Sequence, residues 1–267
     1  MSDATLFEEA RAALLVTAGR FIDLVRAQPD TSVRIPCSDW SVREASAHLI
    51  AANSLYSGIA MGTPSPVASL DKKYAADFAA GRIADIPISE PDELASILGE
   101  GLESFLDVTV GRPGNQEIVF HAGLPFDLES VVCVALGEYL LHGYDIASAG
   151  GYPWPISTSD ALLVLHAYGP LYALCVNPET TDGLNAVFRV LLRGVEPTTF
   201  RFVDGSYRVE DDQTVPADCT ISADPVAFLM VGTGRLSQSA AVALGLFEAS
   251  GQRPELARGF SDLFIYP

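Results

Sequence analysis

The sequence predicts an α+β protein: a helix bundle over residues 1–152 followed by a small α+β domain over 153–267. Three observations point to it. Apolar residues recur at three- and four-residue steps through four long segments of the first 150 residues. The run GGYPWP at 150–155 interrupts that pattern. Beyond it, short runs rich in Val, Phe, Tyr and Thr, bounded by Gly, Asp and Pro, signal strands set among helices.

The first helix spans 4–28, with Leu6, Ala10, Leu14, Ala18, Phe21 and Leu24 on one face, and Pro29 closes it. Ser41 with Glu44 has capping-box spacing and opens a second helix that runs to about Ala60, where Gly62 and Pro64 stop it. The Pro-, Gly- and Ser-punctuated stretch 62–88 holds one short helical piece near Tyr74–Gly81. Glu90, Pro91, Asp92 and Glu93 after Ser89 open a third long helix to about Val108. EIVFHAGLPFD reads as a short strand and turn, and a fourth long helix follows from about Leu128 to Ala149, ended by Gly150-Gly151. In the second half, 159–175 and 182–193 read as helices. TTFRFVDG, SYRVEDD and ADCTISAD read as strands, and 224–231, 237–250 and 254–263 as helices.

Charge narrows the function classes. Sixteen Lys+Arg stand against 34 Asp+Glu, a net charge of −18. So acidic a surface repels nucleic-acid phosphates and anionic lipid heads, which predicts no nucleic-acid partner and no membrane surface. The first residues are acidic where a secretory signal is basic. No apolar run reaches the roughly 18 residues that span a bilayer. Cys37, Cys133, Cys175 and Cys219 are scattered without a CxxC. That is the usage of a reducing compartment, so a cytoplasmic protein is expected. Cys133 and Cys175 sit in apolar pattern as small hydrophobes, and Cys37, with no basic neighbour nearer than Arg34, does not read as a nucleophile.

The fourth helix carries the chemistry. Between Ser130 and Gly150 its only Asp, Glu, His, Lys or Arg residues are Glu138, His142 and Asp145. At about 100° per residue, His142 lies about 40° to one side of Glu138 and Asp145 about 20° to the other. A narrow ionic stripe on an apolar helix needs partners, because unpaired buried charge is costly. Glu-x-x-x-His places a carboxylate and an imidazole one turn apart, within reach of one ion. Zinc accepts this mixture, and three protein ligands with an open position are the pattern of a catalytic site. His48, flanked by Ala47 and Leu49 in the second helix, is the third ligand on a facing helix. Asp145 would orient His142 from behind.

Each feature also has a plainer reading. A lone Glu-x-x-x-His is an ordinary helical pair, and a lone His is a hydrogen-bonded core residue. On the residues alone, metal centre and packed polar stripe stand about even. Arg82 and Lys73, in the 62–88 stretch, read as candidates to hold a substrate carboxylate or as solvated loop charges. His121 and His166 read as structural, and Trp40 as the anchor of the helix-two entry.

The runs WSVREASAHL and GEYLLHGYDIASAGG resemble the metal-binding N-terminal domain of the mycothiol-dependent maleylpyruvate isomerase family, a branch of the DinB-like four-helix bundles. The resemblance spans roughly 1–152 and implies His48, Glu138 and His142 as ligands of a divalent metal, usually zinc. The tail from ADCTISAD to ARGF resembles the small α+β domain, similar to sterol carriers, that follows the bundle. The resemblance implies zinc and mycothiol as cofactors, with a small-molecule electrophile and a low-molecular-weight thiol as partners. The expected activity is a thiol-dependent isomerase or S-transferase, with Arg82 as the candidate substrate-binding cation. A non-catalytic binder of apolar ligands and a hydrolase acting through zinc-bound water remain the alternatives.

Overall fold

The computed structural model describes residues 5–36, 38–172, 175–210, 212 and 214–265, and these divide into two compact units, up to Ala167 and from Tyr168 on. The first unit is helical. Helix α1 (Leu6–Arg26) starts at a capping box between Thr5 and Glu8, and α2 (Val42–Ala60) starts at the expected one between Ser41 and Glu44. After α3 (Lys72–Ala84) come α4 (Pro91–Asp107), the strands β1 (Glu117–Val119) and β2 (Pro125–Asp127), and α5 (Leu128–Gly150). Helix α1 packs on α4 and α5, and α2 packs on the same two, so the four long helices close into a bundle with α3 against α2. β1 and β2 pair antiparallel across a tight 3-10 turn at His121–Gly123.

Helix α5 is the axis of the bundle. Sixteen of its 23 residues are buried, which matches its nearly uninterrupted apolar sequence. Asp127 caps its start through the Ser130 amide at 2.8 Å, and Gly151 ends it in the left-handed conformation at φ 68°. The chain then folds back. Trp154 donates to the Leu140 carbonyl at 2.9 Å, and the Arg20 guanidinium lies 4.2 Å above its ring. This return explains why the compact division follows Ala167, within α6 (Thr158–Tyr172), whereas the break in sequence pattern comes at 152. GGYPWP ends a helix without ending the unit.

The return requires a glycine. A Cβ on Gly143 would sit 2.1 Å from the Trp154 ring. Gly143→Ala should therefore destabilise the protein by about 1–3 kcal/mol through overpacking, read as a lower midpoint in urea. An unchanged midpoint would mean that Trp154 does not seat on α5.

The second unit is α+β. After α7 (Pro178–Thr181), strands β3 (Asn185–Leu192), β4 (Thr198–Val203), β5 (Ser206–Glu210), β6 (Cys219–Ala223) and β7 (Phe247–Gly251) form one sheet in the order β5-β4-β3-β6-β7. All neighbours are antiparallel except β3 and β6. Helices α8 (Pro225–Gly232) and α9 (Gln238–Ala243) follow β6, and 3-10 turns at Pro254–Gly259 and Ser261–Leu263 finish the unit. Its core is aromatic: Phe188 lies edge-on to Phe202 at 5.9 Å and 5.1 Å from Phe260, which contacts Phe264 at 5.7 Å.

Three expectations need correction. Residues 182–193, read as a helix, contain the central strand β3 (Asn185–Leu192). Its run AVFRVLL is apolar at every position but Arg189, and such a run has no period to distinguish strand from buried helix. The expected helix 237–250 stops at Ala243, since Gly245 adopts φ 70° and the chain turns into β7. The expected helix 254–263 is two 3-10 turns. Residues 173–174, at the end of the expected helix 159–175, lie outside the described residues, as does Cys37. No described helix is long and apolar enough to cross a membrane.

Candidate metal centre

Two helices bring together three side chains that could hold a metal ion. α2 supplies His48, and α5 supplies Glu138 and His142 one turn apart. Their register is fixed by a buried polar contact beside the site, the Asn53 amide on α2 donating to the Tyr139 hydroxyl on α5 at 2.7 Å. Both groups are buried, so sliding one helix past the other would strand them without partners.

His48 Nε2 lies 3.2 Å and His142 Nε2 3.4 Å from the same oxygen, Glu138 Oε2. One ligand atom from each of the three falls within 4.8 Å of the others. The side chains of His48, Glu138 and His142 are 22, 22 and 16% exposed, so the cluster is recessed yet open on one side. Behind it, Asp145 Oδ2 lies 3.3 Å from His142 Nδ1 and is 3% exposed. A carboxylate on Nδ1 would hold a proton there, so that Nε2, directed at the cluster, could give its lone pair to an ion. The stripe Glu138–His142–Asp145 is thus assembled as the helical spacing implies.

Electrostatics favour a cation here. Burial alone would raise the Glu138 carboxyl, but the two imidazoles outweigh it and hold it well below the usual carboxylate range. Burial alone would lower His142, but Asp145 and Glu138 outweigh it and raise the imidazole above its ordinary value. The cluster stabilises positive charge at its centre. Two imidazole nitrogens and a carboxylate oxygen are the donors zinc takes, and a divalent ion would displace the protons that otherwise supply that charge.

Aromatic rings wall the cluster. Trp40, which the sequence marks only as the anchor of the helix-two entry, lies 4.9 Å from the His48 ring and 5.5 Å from the His142 ring. Tyr56, which sequence reasoning missed, donates its hydroxyl to Glu138 Oε1 at 2.9 Å. The available signal was spacing, since Tyr56 follows His48 by two helical turns. His121 is more than a turn residue: its ring is 3.9 Å from that of Phe120 and 6.3 Å from that of Tyr56, and Ser65 Oγ lies 2.7 Å from its Nδ1. Burial drops its pKa to about 4, against a smaller upward pull from Glu138.

Other sequence candidates fall outside the cluster. Arg82 is exposed near the end of α3, and Lys73 is exposed and paired with Asp77. His166, half-exposed on α6, lies 3.6 Å from Glu129. Cys133, Cys175 and Cys219 are free and buried, and burial pushes the Cys133 thiol up to about 12. In the second unit, the aromatic-lined cavity among Tyr172, Phe200, Phe228, Phe260 and Phe264 measures about 20 Å³, the space of a single water.

The comparisons with known proteins agree with this architecture. Residues 11–147 match the family model of the mycothiol maleylpyruvate isomerase N-terminal domain, and residues 174–264 match that of the SCP-2 sterol transfer family. The fold is similar to the crystal structure of the mycothiol-dependent maleylpyruvate isomerase, with a TM-score of 0.56 and 12% identity, covering 93% of this chain and 94% of that one. A histidine-to-alanine mutant of that isomerase superposes with a TM-score of 0.54 at 13% identity, with the same coverage. At these identities the likeness is one of fold. A search of curated protein sequences returns no match.

Proposed function

Because the chain belongs to the mycothiol maleylpyruvate isomerase N-terminal-domain family, we propose that it is a cytoplasmic, zinc-dependent enzyme that uses mycothiol to isomerise, or transfer sulfur to, a small electrophile. The observation that carries the reading is the convergence of His48, Glu138 and His142 from two helices onto one point. Residues 1–152 would hold the reactive centre and 153–267 the carrier-like domain.

His48, Glu138 and His142 would hold the ion, with Asp145 fixing the ring of His142. When bound, zinc or another divalent metal supplies a Lewis acid that keeps a thiol deprotonated at neutral pH. The chain's own contribution is orientation and shelter. Trp40 lies against the two imidazoles, and Tyr56, with the rings of Phe120 and His121 near it, backs Glu138. With a cis-enoyl diacid, the thiolate sulfur adds to one alkene carbon and the π electrons move onto the conjugated carbonyl. Rotation about the resulting single bond and elimination of the thiolate then give the trans isomer. With a substrate that carries a leaving group, the same attack gives S-transfer. Arg82 is the proposed cation for a substrate carboxylate. Supporting it, α3 packs on α2, and the segment before α3 is tied to the β1–β2 turn by Ser65–His121 and by the Ala122 amide on the Val67 carbonyl.

The test is metal content and thiol-dependent turnover of maleylpyruvate, in the parent protein and in His48→Ala. About one zinc per chain in the parent, with tight binding abolished in the variant, is the expected result. Stoichiometric zinc retained without His48 would sink this site. Turnover without mycothiol would favour the hydrolytic reading.

A further inference from the structure

The two carboxylate oxygens of Glu138 face different partners. Oε2 is shared by the imidazoles of His48 and His142, at 3.2 and 3.4 Å, while Oε1 accepts the Tyr56 hydroxyl at 2.9 Å. Tyr56 is buried, with its ring near those of Phe105 and Phe120 at 6.2 and 6.1 Å, so the phenol is held in place by packing. A phenol hydroxyl can only donate to a carboxylate, and a hydrogen bond to a charged acceptor is among the stronger ones.

A carboxylate that grips an ion with both oxygens fills two coordination positions. One that binds through a single oxygen leaves a position free, and in a three-ligand site that position admits the reacting molecule. We propose that Tyr56 is a positioning residue that confines Glu138 to one-oxygen binding and so keeps the fourth position open to the thiol. The inference rests on the metal reading above and deepens it: the number of protein donors at the ion is set by a hydroxyl that never touches it. Without that hydroxyl, Oε1 loses its donor in a recessed site, and the cation itself becomes its nearest source of positive charge.

Tyr56→Phe removes one oxygen and retains the ring. The experiment compares the visible absorption of the cobalt(II)-substituted parent and variant, each then titrated with mycothiol. Cobalt in a four-coordinate site absorbs several-fold more strongly than in a five-coordinate one. The expected result is intense bands in the parent, several-fold weaker bands in Tyr56→Phe, and thiol affinity reduced by about 10–100-fold, the usual effect of removing a partner behind a ligand. Superimposable spectra with equal thiol affinity from two cobalt-loaded proteins would overturn the role of Tyr56 alone. So would loss of cobalt from a variant that melts like the parent, since the hydroxyl would then serve capture and not coordination number. A parent that takes up no cobalt would instead remove the metal reading itself. Should the variant fail to fold, X-ray absorption of the zinc-loaded parent decides the matter. Four ligands with one carboxylate oxygen support the inference, and a fifth, longer carboxylate oxygen overturns it.

Discussion

Glu138→Gln should strip the protein of its metal while leaving its fold in place. The parent is expected to hold about one zinc per chain after reconstitution and the variant less than about a tenth of that, because an uncharged amide is a far poorer zinc donor than a carboxylate. The substitution is chosen for its shape. The Gln carbonyl can still accept the Tyr56 hydroxyl, and the amide group fills the same space between His48 and His142. What disappears is the negative charge whose neighbours hold it well below the usual carboxylate range. The metal-free variant keeps the packing but loses the attraction between that carboxylate and the imidazoles, so it should unfold somewhat below the metal-free parent, and the gap between them should widen when zinc is added, since an ion bound by the native state alone stabilises it by mass action. Elemental analysis and parallel unfolding curves with and without zinc read both effects. A Gln variant that retains stoichiometric zinc would show that Glu138 is a packing residue and that the ion, if any, sits elsewhere.

How this centre appears in the sequence follows from its periodicity. Glu138, His142 and Asp145 lie on one helix, and 100° per residue places them together whatever the rest of the chain does. His48 was legible as an imidazole among apolar neighbours, and Ser41–Glu44 as a capping box, because both are local patterns. Trp40 and Tyr56 were not legible as parts of the site. Tyr56 on α2 reaches Glu138 on α5, and Trp40, just before α2, meets a ring on each of the two helices, contacts that depend on the packed register set by Asn53 and Tyr139. The same limit operated in the second unit. Whether AVFRVLL becomes helix or strand is decided by its partners β4 and β6, which lie 10 and 31 residues further along the chain at Arg189↔Thr199 and Arg189↔Thr220. Six apolar residues in those seven positions leave no alternation that would have announced a strand.

His121 should make the metal-free protein acid-sensitive. Its folded value is about 4, against an unfolded value near 6.5. Between those values the unfolded chain binds the proton and the native state does not, so stability falls as pH drops through 6.5 and continues to fall until about 4. The size follows from the interval: about 2 kcal/mol lost by pH 5 and about 3 kcal/mol in all. The cause is structural. The imidazole is half-buried, stacked on Phe120 with the Tyr56 ring nearby, and Ser65 Oγ, which already accepts the Val67 amide at 3.1 Å, has its hydroxyl proton available for Nδ1. Charging the ring would require Nδ1 to carry its own proton and turn that contact around, in a place with little water to help. His121→Phe keeps an aromatic ring in the stack and has nothing to protonate. Its unfolding free energy should therefore fall less steeply between pH 6.5 and 4.5, the two curves differing in slope by about one proton. The metal-free parent and variant must be compared, so that contributions from the rest of the chain cancel. Parallel curves would show that His121 is protonated as easily in the folded protein as in the unfolded chain, and that the wall beside Glu138 is wetter than its packing implies.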